Sequence, residues 1–363
     1  MDEINSPGES REVNVAEKKI TVRHKSIRRL PAIVGMSFIY FALAVFSLWC
    51  IGVIGYLFPI VPSVTGWIFL FVLIVSAAFF FTGKLKVTSV VSASMVCLLA
   101  LVLWFSTKPS NDKQWQTPWA RMPEVTINGN EATVNNVRDF IYRTENDYTP
   151  HYITEKFDLN KVKDLRVLMS FWDGNTLICH MMLDFGFSDG QHLVVSIETR
   201  LPVGSKQSTL GGLFKQYEVL AIAGTQRDLI MLRTNYRHEQ VYMYQTTSSP
   251  DEVRSLLLDI FKGMNKLRAK PVFYNTITTN CTTSLIPYIR KIRPSRGWSI
   301  KFLLNGLSPE MAFKGGWFKH RAGESFAEYN KRSCITPIMR KCEDRNKYSE
   351  YLNREFGKLN QAD

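Results

Sequence analysis

Between Pro31 and Phe105 the chain carries only two charged side chains, Lys84 and Lys86. Nothing else constrains the fold as much, because this window holds three uncharged stretches, residues 32–58, 63–83 and 87–105, of 27, 21 and 19 residues. Each matches the roughly 20 apolar residues that a helix needs to cross about 30 Å of hydrocarbon. The first is longer than the roughly 7–15-residue apolar core of a cleavable signal peptide. Pro59 and Pro62 separate the first two stretches as a short turn would. Burial inside a soluble protein is the alternative, but nothing later in the chain is long enough to wrap three such helices. The expectation is therefore a tail of residues 1–31 followed by three transmembrane helices within residues 32–105.

Orientation follows from the basic residues. Arg23, Lys25, Arg28 and Arg29 precede the first stretch, and Lys84 and Lys86 lie between the second and third. Both groups belong on the cytoplasmic side, so three crossings put residues 106–363 in the periplasm of a multi-pass inner-membrane protein. No span contains a formal charge, which argues against an ion or proton pathway. Of the net charge of +13, residues 106–363 carry +9. That balance suits an anionic lipid surface or a phosphate-bearing substrate, and equally an ordinary soluble surface. No basic run interleaved with aromatics points to nucleic acid. Of six cysteines, Cys50 and Cys97 fall in the spans as packing residues. Cys334 and Cys342 would lie about 12 Å apart on a straight helix, too far for a disulfide unless Pro337 bends the chain. With no C-x-x-C pair, neither a metal site nor a cofactor is expected.

The exported part reads as α+β. Residues 106–123 are polar and carry Trp115 and Trp119, which suits a short tether with its indoles at the bilayer interface. A β-like run over 124–134 holds an Asn128-Gly129 turn. Residues 176–187 and 191–199 flank Ser188-Asp189-Gly190 as a hairpin, and 229–235 with 240–245 form a second candidate hairpin. Ser249-Pro250-Asp251-Glu252 is a helix start, and the helix is expected to run to about Arg268, with Val253, Leu256, Leu257, Ile260, Phe261 and Met264 on one face. A second helix is expected from near Asn280 to Ile289, and residues 324–360 are charged and helical.

Cys281 is the candidate nucleophile. It opens an apolar helix-like run, where unpaired N–H groups and the helix dipole favour thiolate and could hold an oxyanion. A buried structural thiol is the alternative. A thiol nucleophile needs a base, usually histidine, and the exported candidates are His151, His180, His192, His238 and His320. His180 lies mid-strand among apolar residues, where a packed core histidine is the plainer reading. If Ser188, Asp189 and Gly190 form a three-residue loop, His180 faces Glu198 across the hairpin, and a carboxylate there would fix its tautomer. A two-residue turn would instead oppose His180 to Thr199 and turn Glu198 away. Cys179 points to the opposite strand face from His180.

Four motifs in order then stand out: residues 178–200 (ICHMMLDFGFSDGQHLVVSIETR), 212–230 (GLFKQYEVLAIAGTQRDLI), 232–244 (LRTNYRHEQVYMY) and 273–284 (FYNTITTNCTTS). Together with VRDFIYRTENDYTPHY upstream, they resemble the Lnb N-terminal periplasmic domain family over roughly residues 120–290. That family takes its name from a lipoprotein N-acyltransferase that works through a thiol. Its order of His and then Asn-Cys is similar to the circularly permuted papain-like fold of NlpC-type relatives and lecithin:retinol acyltransferase, in which the Cys opens a helix packed on a sheet and the His lies on a strand. The resemblance implies a papain-like domain over residues 124–295 with Cys281 and His180 catalytic, followed by a helical extension over 296–363. It leaves Glu198, Glu218 and Asn280 as candidates for the orienting group, with Arg200 a structural or headgroup-binding cation and Tyr274 a site-shaping residue. It implies acyl transfer from a membrane phospholipid or diacylglyceryl lipoprotein, through a Cys281 thioester, to an amine such as a lipoprotein N-terminus. A cysteine peptidase or amidase acting on cell-wall peptides is the second reading, and a non-enzymatic membrane-anchored binding module the third.

Overall fold

The computed structural model describes residue 38 and residues 41–42, 45–57, 67, 70–71, 74–75, 86–292 and 299–360. The expected tail lies outside these residues, as does much of the first two expected spans. Among the described residues no helix is long and apolar enough to cross a membrane. The chain divides into two units, Met1–Thr107 and Lys108–Asp363. In the first, helix α1 (Lys86–Ser106) buries Val96 and Ala100, and residues 45–57 are helical with Cys50, Val53 and Ile54 buried. Trp49 meets Trp104 edge-on at 5.1 Å.

The second unit is a mixed α/β domain. Its strands are β1 (Glu124–Asn128), β2 (Glu131–Arg138), β3 (Ile141–Tyr142), β4 (Tyr148–Thr149), β5 (Tyr152–Asp158), β6 (Val162–Phe171), β7 (His180–Phe187), β8 (His192–Arg200), β9 (Glu218–Gly224) and β10 (Gln240–Gln245). The main sheet runs β1-β2-β9-β8-β7-β6-β10, with β5 on β2, while β3 and β4 pair separately. All pairings are antiparallel except β2 with β9.

Period-2 alternation splits the central strands between two cores. Met181, Leu183, Phe185, Val195 and Ile197 face one side, where helix Pro250–Ala269 lays down the six apolar residues expected of it. Its start is a full capping box, in which the Ser249 hydroxyl takes the Glu252 N–H and the Glu252 carboxylate takes the Ser249 N–H. Met182, Val194, Leu220 and Ile222 face the other side, against helices Gln226–Met231, Thr336–Met339 and Tyr348–Asn360. Because both faces are covered, these strands are apolar nearly throughout.

One expectation changes here. Residues 229–235 are not a strand: helix Gln226–Met231 passes directly into a π-helical turn, Leu232–Tyr236. The apolar run Leu229-Ile230-Met231-Leu232 is buried on every side and so carries no period that tells helix from strand. Within the helical extension expected over 296–363, the described residues 299–360 take part in both cores: Ile335, Met339, Tyr348, Leu352 and Phe356 close one, and Ala312, Phe318 and Tyr329 join the other.

Candidate active site

The hairpin that carries His180 has the three-residue loop. Gly186 pairs with His192 and Met182 with Ser196, the Phe187 N–H donates to the Gln191 carbonyl at 3.0 Å, and Gly190 takes a left-handed φ of +87° that the return requires. The same register sets His180, Ser196 and Glu198 on one face. His180 Nε2 lies 2.7 Å from Ser196 Oγ, Ser196 Oγ donates to Glu198 Oε1 at 2.9 Å, and Nε2 itself is 3.8 Å from Oε1.

Glu198 is clamped as a carboxylate. Arg233 donates to Oε1 at 3.2 Å and the Trp119 indole N–H to Oε2 at 2.8 Å. Burial alone would raise its pKa, but Arg233, His180, Arg138 and the Trp119 N–H outweigh burial and hold it well below the usual carboxylate range. An ionised carboxylate only accepts, so the single Ser196 proton goes to Glu198 and Ser196 must accept from His180. The Nε2–H tautomer follows, which leaves Nδ1 as the basic nitrogen. Burial, with Arg233 behind it, pushes the imidazole down to about 3 against the opposing pull of Glu198, so His180 is neutral at ordinary pH.

Cys281 approaches the same strand from its chain neighbours. The β7–β8 ladder ends at Met182–Ser196, whereas β8 stays paired with β9 as far as Arg200–Glu218. Where β7 and β8 part, the Met181 N–H donates toward the Cys281 sulfur, which lies 3.9 Å from the Cys179 carbonyl oxygen. Sγ therefore sits against the backbone on both sides of His180. Among the described residues no hydrogen bond joins the two side chains directly. Asn280 shapes the turn: its Oδ1 accepts from the N–H groups of Thr282 (3.0 Å) and Thr283 (2.9 Å), and the helix expected from near Asn280 begins only at Ile286 and runs to Ile292. Those two N–H groups are thus not free for an oxyanion, contrary to expectation. The thiol also departs from its expected pKa. Burial pushes it above the ordinary cysteine value, outweighing the Met181 amide and the Thr282 hydroxyl.

At rest the thiol and the imidazole are both neutral, and this has a measurable consequence. Alkylation of Cys281 by iodoacetamide should climb about tenfold per pH unit through pH 8 and beyond, because only thiolate reacts. A plateau already reached by pH 7 would instead reveal a resting thiolate–imidazolium pair.

Sequence reasoning missed Ser196 and Asn305. Asn305 is buried, and its side chain ties the two halves of the site. Nδ2 donates to the Cys179 carbonyl and to Thr282 Oγ1, both at 2.7 Å, and Oδ1 takes the Cys179 N–H at 2.8 Å. Its neighbour Gly306 has to be glycine, since a Cβ there would lie 2.2 Å from the Thr176 carbonyl oxygen. The alternation that puts Ser196 beside Glu198 on β8 was a usable signal, whereas nothing local marked Asn305.

The remaining candidates lie elsewhere. Glu218 is fully buried and pairs with Lys113 at 2.7 Å, apart from the His180 cluster. Arg200 binds the carbonyls of Trp119 and Ala120 and stacks over the Trp115 ring at 4.2 Å, which makes it structural. Segment 110–120 is therefore strapped to the domain, with Trp119 spent on Glu198 rather than on a bilayer interface. Tyr274 is half-buried and within electrostatic reach of Cys281, with its hydroxyl on Thr199. His192 belongs to a separate pair with buried Asp184 at 3.1 Å. Cys334 and Cys342 are free thiols.

Residues 148–306 match the family described as the Lnb N-terminal periplasmic domain, the family that the motifs resemble. No curated protein and no solved structure matches the chain.

Proposed function

Starting from a periplasmic-type domain over residues 148–306, we propose that the protein is a cysteine-dependent acyltransferase with a permuted papain-like (NlpC-like) site. The Cys281 thiol attacks the ester carbonyl of a phospholipid or diacylglyceryl lipoprotein. An S–C bond forms, the ester C–O bond breaks, and the thiol proton passes by way of His180 Nδ1 to the departing alkoxide. An amine, such as a lipoprotein N-terminus, then attacks the thioester. The N–C bond forms, the S–C bond breaks, and the amine proton returns to sulfur.

The observation that carries this reading is the fixed tautomer. The line from Glu198 through Ser196 to His180 leaves Nδ1 as base at the end of β7 where Cys281 packs. The papain-like assignment draws support from a Cys placed just before a helix and a His on an adjacent strand. A lipid substrate draws support from exposed Leu177, Ile178, Ile277 and Leu307 on the loops that hold Cys281. A cell-wall peptidase would call for polar side chains there. The uncharged stretches within residues 32–105 favour a multi-pass anchor in the inner membrane, with the domain held beside its lipid substrate in the periplasm.

Intact-mass analysis after incubation with phospholipid tests the reaction. The protein should gain one fatty acyl mass, and Cys281→Ser should show no thioester. If the unmodified protein gains nothing from any lipid ester, the proposal fails. In the same assay Ser196→Ala and Glu198→Gln should each slow acylation by about tenfold or more while keeping the fold, since both disturb the tautomer that a carboxylate-backed histidine needs. Normal turnover in both variants would remove these residues from the mechanism.

A further inference from the structure

His180 lies between two serines, and each serine is tied to a carboxylate. On one side stand Ser196 and Glu198. On the other, Ser170 of β6 is the cross-strand partner of His180, and its buried hydroxyl donates to Glu239 Oε2. One guanidinium spans the two carboxylates. Arg233 gives Nη2 to Glu198 Oε1 at 3.2 Å and Nη1 to the Leu229 carbonyl at 2.7 Å, and its Nε lies 4.0 Å from Glu239 Oε2. Arg233 is therefore bonded to Glu198 and only close to Glu239.

The local chain folds to bring this about. The π-helical turn Leu232–Tyr236 closes with the Arg237 N–H on the Leu232 carbonyl at 2.8 Å, and the Glu239 N–H then returns to the Arg233 carbonyl at 2.9 Å. Between these two bonds His238 takes a left-handed φ of +55°, uncommon for a residue other than glycine. The kink lays Glu239 beside Arg233 just before β10 begins at Gln240. Wide turns of this kind are frequent at functional sites. Stability alone does not call for such a cluster, because apolar replacements for buried ions are often neutral or better.

The neighbouring charges have partners of their own. Arg237, 3.8 Å from Glu239 Oε1, is held by Glu145 at 3.0 Å, and Arg138 is held by Asp228. Cys281 approaches as a neutral thiol. Glu198 stands 3.8 Å from His180 Nε2, close enough to serve as its counter-ion, but at rest its charge is matched by Arg233. Burial and then Arg233 keep the ring neutral. During acylation the thiol proton passes to Nδ1, and the cation that forms needs Glu198.

We propose that Arg233 and Glu239 are positioning residues for His180: Arg233 occupies Glu198 while the imidazole is neutral, and Glu239 takes up Arg233 when the imidazole gains the thiol proton, which frees Glu198 as its counter-ion. The inference rests on the acyl-transfer reading above. The bond from Nη1 to Leu229 is the pivot, and a swing of about 1 Å brings Nε within bonding distance of Glu239. The guanidinium keeps all its protons, and the only proton that moves is the one from sulfur to Nδ1.

The charge on His180 can be read without any acyl donor, from histidine labelled with carbon-13 at Cε1 in the full chain in lipid nanodiscs. The His180 signal is the one lost in His180→Ala. In the unmodified protein it should remain that of a neutral ring from pH 5 to pH 8. In Arg233→Met it should titrate inside that range, and in Arg233→Lys it should again stay neutral. Adding Glu239→Gln to Arg233→Met should lower the midpoint by about one pH unit, because a nearby carboxylate favours imidazolium. A ring that stays neutral in Arg233→Met, or a midpoint indifferent to Glu239→Gln, overturns the proposal. The double variant removes a cation and a carboxylate together, so it serves where Arg233→Met alone does not fold. Its ring should titrate above pH 5, and a silent ring there overturns the role of Arg233.

Acylation gives the second readout. Glu239→Gln should slow the step about tenfold at saturating palmitoyl ester, the equivalent of one pH unit of lost imidazolium stabilisation. The half-saturating donor concentration should stay unchanged, since only the charged state of His180 is affected. A normal rate in Glu239→Gln overturns the role of Glu239. In Arg233→Met the rate should acquire a limb that rises about tenfold per pH unit below the His180 midpoint, which the unmodified protein lacks over the same range. Titrations as expected with no acylation by any lipid ester uphold the charge arrangement and refute the transferase. Acylation with a silent ring in Arg233→Met does the reverse.

Discussion

His180→Ala should slow acylation of Cys281 by about a hundred- to ten-thousandfold, the usual worth of a general base, with the fold retained and acyl donor binding little changed. The expectation follows from geometry. His180 is the base candidate whose tautomer is dictated by a bonded carboxylate–hydroxyl relay, and it sits on the strand whose backbone the sulfur touches. His192→Ala is the control, because His192 is engaged with Asp184. Its loss should lower stability and leave the acylation rate within a few-fold. Added imidazole restoring part of the His180→Ala rate would identify the missing group as a proton acceptor. If His180→Ala acylates at the normal rate, the base lies elsewhere and the relay is architectural.

The second large effect is on stability. Asp228 accepts four hydrogen bonds in the interior: two from Arg138 at 3.0 and 2.9 Å, one from the Phe140 N–H at 2.7 Å and one from the Tyr142 hydroxyl at 3.3 Å. Both charged partners are shut off from solvent. Asp228→Ala would strand the Arg138 guanidinium without its counter-ion, and breaking such a pair from one side costs about 3–5 kcal/mol. Chemical denaturation of the purified chain should show that loss. The double variant Asp228→Leu with Arg138→Met should recover much of it, since an apolar pair leaves no orphan charge. Equal losses in the single and double variants would mean that the Phe140 and Tyr142 bonds, not the ion pair, set the cost.

Much of this architecture can be read locally. The long helix announces itself by Ser249-Pro250-Asp251-Glu252 and a 3.6-residue apolar period, and the observed helix is Pro250–Ala269. The hairpin register follows from one three-residue loop, and with it the pairing of His180 and Glu198. What could not be read shares one cause, dependence on distant chain. The apolar run at residues 229–232 is helical because two layers bury it on all sides. The Cys281 thiol is raised rather than lowered because burial outweighs the Met181 amide and the Thr282 hydroxyl, and burial is a property of the assembled domain. Asn305 looks like any loop asparagine until the fold brings it to Cys179, 126 positions earlier.

That clamp bears on the order in which the domain can be completed. Residues 179, 281 and 305 emerge from the ribosome in that order, and helix Tyr348–Asn360, which seals the opposite core, follows them. Until Asn305 arrives, the clamp that joins Thr282, the neighbour of Cys281, to the Cys179 backbone is missing, so the thiol of a nascent chain lacks its fixed seat. The site is therefore completed only when residue 305 has been made, long after the strand that carries His180.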